Sequence, residues 1–115
     1  MACKINYIFT IFLIILSIIH IAFTPMIYNG FNLSSLWFAG SGLSFLFLGI
    51  INILRAETTK MFFKLLCFIC NILALVFCAL LVLKLSQPQT FICLSVIVII
   101  LGLSLFDLRP DRKLK

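Results

Sequence analysis

His20 is the single histidine of the chain. An unperturbed pKa of about 6.5 lets an imidazole exchange protons near neutrality, and the neutral ring is a common metal ligand. Thiolates are the soft ligands that would accompany it. Of the five cysteines, Cys78 and Cys93 lie seven to eight residues either side of the centre of the last loop, which holds the Ser86-Gln87-Pro88 reversal. An antiparallel hairpin sets them at one depth. His20 and Thr24 fall at a similar distance before Asn29-Gly30, and Trp37 and Ser41 follow it. With Ser95 beside Cys93, these residues form one candidate polar layer: His20, Thr24, Trp37, Ser41, Cys78, Cys93 and Ser95. It could carry a proton, hold a soft metal or support thiol redox chemistry. A Cys78–Cys93 disulfide would need Cα atoms within about 7 Å. The plainer reading is a histidine bonded to a serine within a packing seam. Cys67-x-x-Cys70 has the spacing of a redox motif, but inside an apolar run it lacks access to partners and reads as packing.

Four apolar runs must position these groups: about 5–24, 33–54, 61–83 and 89–106. Each is long enough, at about 1.5 Å per residue, to match a hydrocarbon core of roughly 30 Å. The chain is 64% hydrophobic and only 10% charged, with a mean hydropathy of +1.32. Soluble domains carry roughly 25% charged residues. The fold class expected is an all-α transmembrane four-helix bundle of two hairpins, one domain over 1–108, followed by a basic tail, 109–115. The first run exceeds the usual signal-peptide apolar segment and reads as a retained helix. Pro25 is expected to end it. Asn29-Gly30 marks a turn, Asn32 or Ser34 an N-cap, Thr58 or Thr59 a cap for the third helix, and Pro88 the first turn of the fourth. Asn32-Leu33-Ser34 matches the glycosylation triplet, a pattern common by chance.

Charge is confined to the ends of the runs. Lys4, Arg55, Lys60, Lys64, Arg109, Arg112, Lys113 and Lys115 share one side of a four-span chain, against Lys84 alone on the other. Positive charge is retained on the cytoplasmic side, so both termini are expected there, in an inner membrane. Asp107 is expected to pair with Arg109 or Lys4. The net charge of +6 therefore reads as topology and contact with anionic headgroups at the tail, not as a nucleic-acid patch.

Membrane helices associate through small residues and interhelical hydrogen bonds. Each run shows such an edge. Asn6, Thr10, Ser17, His20 and Thr24 recur along one face of the first. Ser35, Ala39, Gly42 and Gly49 line the second, with Ser34, Ser41, Ser44 and Asn52 beside them. Cys67, Asn71, Ala74 and Cys78 line the third, and Ser95 and Gly102 the fourth. The expected packing positions are Ala39, Gly42, Gly49, Asn52, Asn71, Ala74 and Gly102, with Ala39-Gly40-Ser41-Gly42 as the closest-packing surface. Asn71 and Asn52 should each bond across helices.

In size and four-span layout the chain resembles the small multidrug resistance transporters, which work as dimers. That family binds proton and cationic drug at a glutamate in its first helix. The first span here has no carboxylate, so none of those sites carries over. No paired carboxylates, nucleophile–base pair or phosphate loop is present, so the chain is read as non-enzymatic, without cofactor or metal. The leading expectation is an accessory or structural membrane protein acting through helix contacts, with itself or a membrane partner. The alternative is a small transporter or channel element with an outward-facing polar site around His20. A metal or redox protein using His20, Cys78 and Cys93 comes third.

Overall fold

The computed structural model describes residues 2–108. The basic tail, 109–115, and the side chain of Cys3 lie outside the described residues. Four helices follow one another: α1 (Ala2–Ile27), α2 (Leu33–Glu57), α3 (Met61–Lys84) and α4 (Pro88–Asp107). All four are long and apolar enough to cross a membrane, and the fold is an all-α four-helix bundle. Its closest pairs are α1 with α2 and α3 with α4, the two hairpins; α2 and α3 touch least. The Tyr28–Asn32 and Leu85–Gln87 connections share one end, here the loop end. The Thr58–Lys60 turn and the outer ends of α1 and α4 form the terminal end.

Local signals explain most of the boundaries. Gly30, at φ 86°, supplies the left-handed residue that turns the first hairpin. Asn32 caps α2 through a reciprocal box: Ser35 N–H donates to Asn32 Oδ1 at 2.8 Å, and Asn32 N–H to Ser35 Oγ at 3.0 Å. Pro88 opens α4, where its missing N–H would have had no helical partner anyway. Pro25, expected to end α1, instead lies inside its last turn. Only the bond to one carbonyl is lost so near the terminus, and Thr24 Oγ1 donates to His20 O beside it. Neither Thr58 nor Thr59 caps α3. Thr58 is the C-cap of α2, and Lys60 holds the N-cap of α3 with no side-chain bond.

Small residues bring α1 onto α2. A Cβ at Gly42 would sit 2.8 Å from Ile21 Cγ1, and one at Gly49 2.5 Å from Ile14 Cγ1. Neither helix could hold its place with a larger residue there. Gly40 and Gly102, by contrast, have nothing within 4 Å. The expected packing at Gly102, and the closest-packing surface drawn through Gly40, therefore contract to Gly42. The core is Leu13, Phe45, Leu48, Val96, Ile97 and Ile100 with Cys78, and Ala74 packs on its edge. Ala39 is half-buried. The remaining Ile, Leu and Phe side chains largely face outward, as they must where the surrounding medium is acyl chain and apolar exposure has no hydration cost.

Candidate functional site

Polar side chains collect in two layers separated by that core. The layer near the loop end is built on His20. Its Nε2 lies 3.1 Å from Phe38 O and 3.1 Å from Ser41 Oγ. Ser41 Oγ itself donates to Phe38 O at 2.7 Å. A carbonyl oxygen only accepts, so Nε2 must carry a hydrogen. The one hydroxyl hydrogen of Ser41 is already spent, so Ser41 accepts a share of the same N–H. In the neutral ring Nδ1 therefore keeps the lone pair. The ring stacks on Phe38 with centroids 3.8 Å apart, and its Cδ2 edge faces Gly42. Glycine at 42 is what lets the imidazole reach the backbone of α2.

A cavity of about 110 Å³ adjoins this ring. His20, Ser41, Phe45, Cys78 and Cys93 line it, and Gln87, Gln89 and Thr90 stand at its edge under the α3–α4 turn. Four of the seven residues expected in the layer thus border one space. The other three do not. Thr24 stays on the α1 seam, bonded to His20 O at 3.4 Å. Trp37 is 73% exposed. Ser95 points outward and donates to Phe91 O of its own helix at 2.8 Å. Cys78 and Cys93 are free thiols, as are Cys67 and Cys70, so the candidate disulfide is not formed. Among the described residues no three His, Cys, Asp or Glu side chains come together as metal ligands.

Sequence reasoning did not assign Ser17, Phe38, Gln87, Gln89 or Thr90 to this space. Ser17 had a signal, standing one turn before His20 on the polar stripe of α1. Phe38 had none, because it contributes a main-chain oxygen.

The second layer lies toward the terminal end. Asn52 and Asn71 exchange amide bonds: Asn52 Nδ2 donates to Asn71 Oδ1 at 2.8 Å, and Asn71 Nδ2 to Asn52 Oδ1 at 3.0 Å. Asn52 Nδ2 also donates to Leu48 O at 2.9 Å, and Asn71 Nδ2 to Ser104 Oγ at 3.4 Å. Cys67 Sγ donates weakly to Ile51 O at 3.7 Å. Both amides and Ser104 are completely buried, and together they tie α2, α3 and α4.

One turn further along α2, Arg55 is 1% exposed. Its Nη2 donates to Asn6 Oδ1 of α1, and its Nη1 lies 3.6 Å from Asp107 Oδ2 of α4. Two expectations change. Arg55, expected among the basic residues at the ends of the runs, is a buried hub, and Asp107 pairs with Arg55 and not with Lys4; Arg109 lies outside the described residues. Helical phase explains both: Gly42, Phe45, Gly49, Asn52 and Arg55 are spaced by threes and fours along one buried stripe.

Comparisons with protein-family models, curated proteins and solved structures find no match for this chain.

Proposed function

We propose that this is a non-enzymatic inner-membrane protein whose working part is the cavity at His20, a binding or transport site for a small molecule. The observation behind this reading is the division of labour within one ring. Nε2–H is held by Phe38 and Ser41, which leaves Nδ1 to accept a hydrogen bond from a guest. At about 110 Å³ the space falls well short of the roughly 300 Å³ of a drug-sized pocket. It suits a few heavy atoms with one N–H or O–H group, such as a short amine or alcohol. In this reading both termini are cytoplasmic and the cavity faces outward. With Arg55 withdrawn into the bundle, seven basic residues on the terminal side still oppose Lys84, which supports that orientation.

Protection of a thiol tests the reading. Cys93 lines the cavity and is partly exposed, so ethylamine or butylamine should slow its alkylation by N-ethylmaleimide. His20→Ala should remove the protection without lowering expression. Equal alkylation rates with and without amine would refute a guest site there.

An accessory role through helix contacts is the second reading, and the open space beside Gly40 and Gly102 favours it. Those glycines are half-buried with room beside them, into which a partner helix could pack, from a second copy or another membrane protein. Under that role Gly40→Leu should impair assembly, seen as a shift to the monomer on cross-linking.

A further inference from the structure

The cleft between α2 and α3 at the terminal end holds about 480 Å³. Leu54, Phe63 and Leu66 give it hydrocarbon walls, Glu57 and Thr58 stand on it, and Arg55 forms part of its lining. Arg55 is under-partnered. Of its five N–H bonds, the structure gives one to Asn6. Nε and Nη1 have no hydrogen-bond partner, and Asp107, at 3.6 Å, stands beyond hydrogen-bond range of Nη1. A guanidinium cannot shed its charge. A further partner would have to bring acceptor oxygens beside Asn6 and Asp107, into a cleft walled mostly by hydrocarbon.

We infer that this cleft binds an anionic phospholipid, with the phosphate on Arg55 and the first methylenes along Leu54, Phe63 and Leu66. Arginine donors match phosphate oxygens in pairs. The nitrogens have no contact with solvent, so a phosphate reaches them as the guanidinium turns toward the cleft, where the second Nη2 hydrogen and a hydrogen of Nη1 give two parallel donors. The unbranched stem allows that turn while Nη2 keeps Asn6. Glu57 on the cleft and Asp107, 3.6 Å from Nη1, oppose an anion here, and Lys60 and Lys64, close by on the chain, offset them. A soluble phosphate gains nothing from the apolar walls and would lose its hydration to them, whereas a lipid uses both features. The inference rests on the membrane reading but not on the His20 cavity.

Native mass spectrometry of the full chain released from detergent, with phosphatidylglycerol or phosphatidylcholine added, decides it. Retention should favour phosphatidylglycerol several-fold: both lipids bring the phosphate, but the trimethylammonium of phosphatidylcholine cancels its charge and is repelled by Arg55, Lys60 and Lys64. Arg55→Gln should erase the preference. Leu66→Trp, which fills the cleft and leaves Arg55 in place, should lose retention of both lipids, and His20→Ala should change neither. The inference fails if Leu66→Trp holds phosphatidylglycerol like the parent chain, or if folded Arg55→Gln keeps the preference. It fails equally if inorganic phosphate displaces the lipid, since the site would then belong to a soluble anion. Should Arg55→Gln not fold, Leu66→Trp decides alone. Recovery of the chain in the aqueous fraction would instead sink the membrane reading.

Discussion

The two polar layers meet the same difficulty, donors and acceptors held away from water, and resolve it differently. Toward the terminal end, Asn52, Asn71 and Ser104 satisfy one another across three helices. Near the loop end, His20 satisfies one nitrogen on a neighbouring backbone and borders a cavity. Mutual satisfaction makes a staple, since removing one member strands another in a low-dielectric interior. A polar group beside a void makes a site, since its remaining valence is free for something that comes and goes. The difference teaches that buried polarity in a bundle is not evidence of function until its partners have been counted.

Substitutions can break or sharpen that contrast, each followed by unfolding in mixed micelles monitored by helical circular dichroism. Arg55→Leu should have the largest effect, roughly 3 kcal/mol, because the buried Asn6 amide loses its donor and the partly exposed Asp107 loses its cation. Next come Asn71→Ala and Gly49→Ala, each costing about 1–3 kcal/mol. The first strands the Asn52 amide; the second drives a Cβ against Ile14. A double-mutant cycle of Asn52→Ala with Asn71→Ala should give a coupling of about 0.6–1.7 kcal/mol. Gly42→Leu should destabilise more than His20→Ala, which should cost under about 1 kcal/mol, since Ser41 keeps its own bond to Phe38 O. Ser95→Ala, on an exposed hydroxyl, should stay within about 0.5 kcal/mol of the parent. If His20→Ala matched Asn71→Ala in cost, the loop-end layer would be a second staple and the contrast would collapse.

Much of this was legible along the chain, and the exceptions share a cause. Depth could be counted from the turns, and the count brought His20 to Ser41 and Cys78 to Cys93 around one cavity. It was less exact at the Thr58–Lys60 turn. Asn52 stands six residues before Thr58 and Asn71 eleven after Lys60, yet their amides meet, because α2 and α3 do not leave that turn in equal register. Rotation was harder than depth. Trp37 and Ser95 are exposed and Gly102 has no neighbour within 4 Å; between Thr90 and Asp107, α4 carries only Ser95 and Ser104 as polar side chains beside Cys93, which gives little warning of which side turns inward. The buried phase of Arg55 could have been read from Asn52, three residues earlier. Its charge drew attention to topology instead.

The order of residues alone determined four membrane-length helices, their two hairpins, the Gly30 turn, a cap for α2 at Asn32 or Ser34 and the small-residue edge that carries Gly42 and Gly49. Those features are local: they depend on run length, backbone preference and helical period, all written within a few neighbouring residues. Tertiary structure decided that the two asparagines bond to each other, that Asp107 answers Arg55, and that a void opens beside His20. Each of these depends on how far one helix slides and turns against another. In a bundle where nearly every face is apolar, only the close fit of a few small and polar side chains settles that.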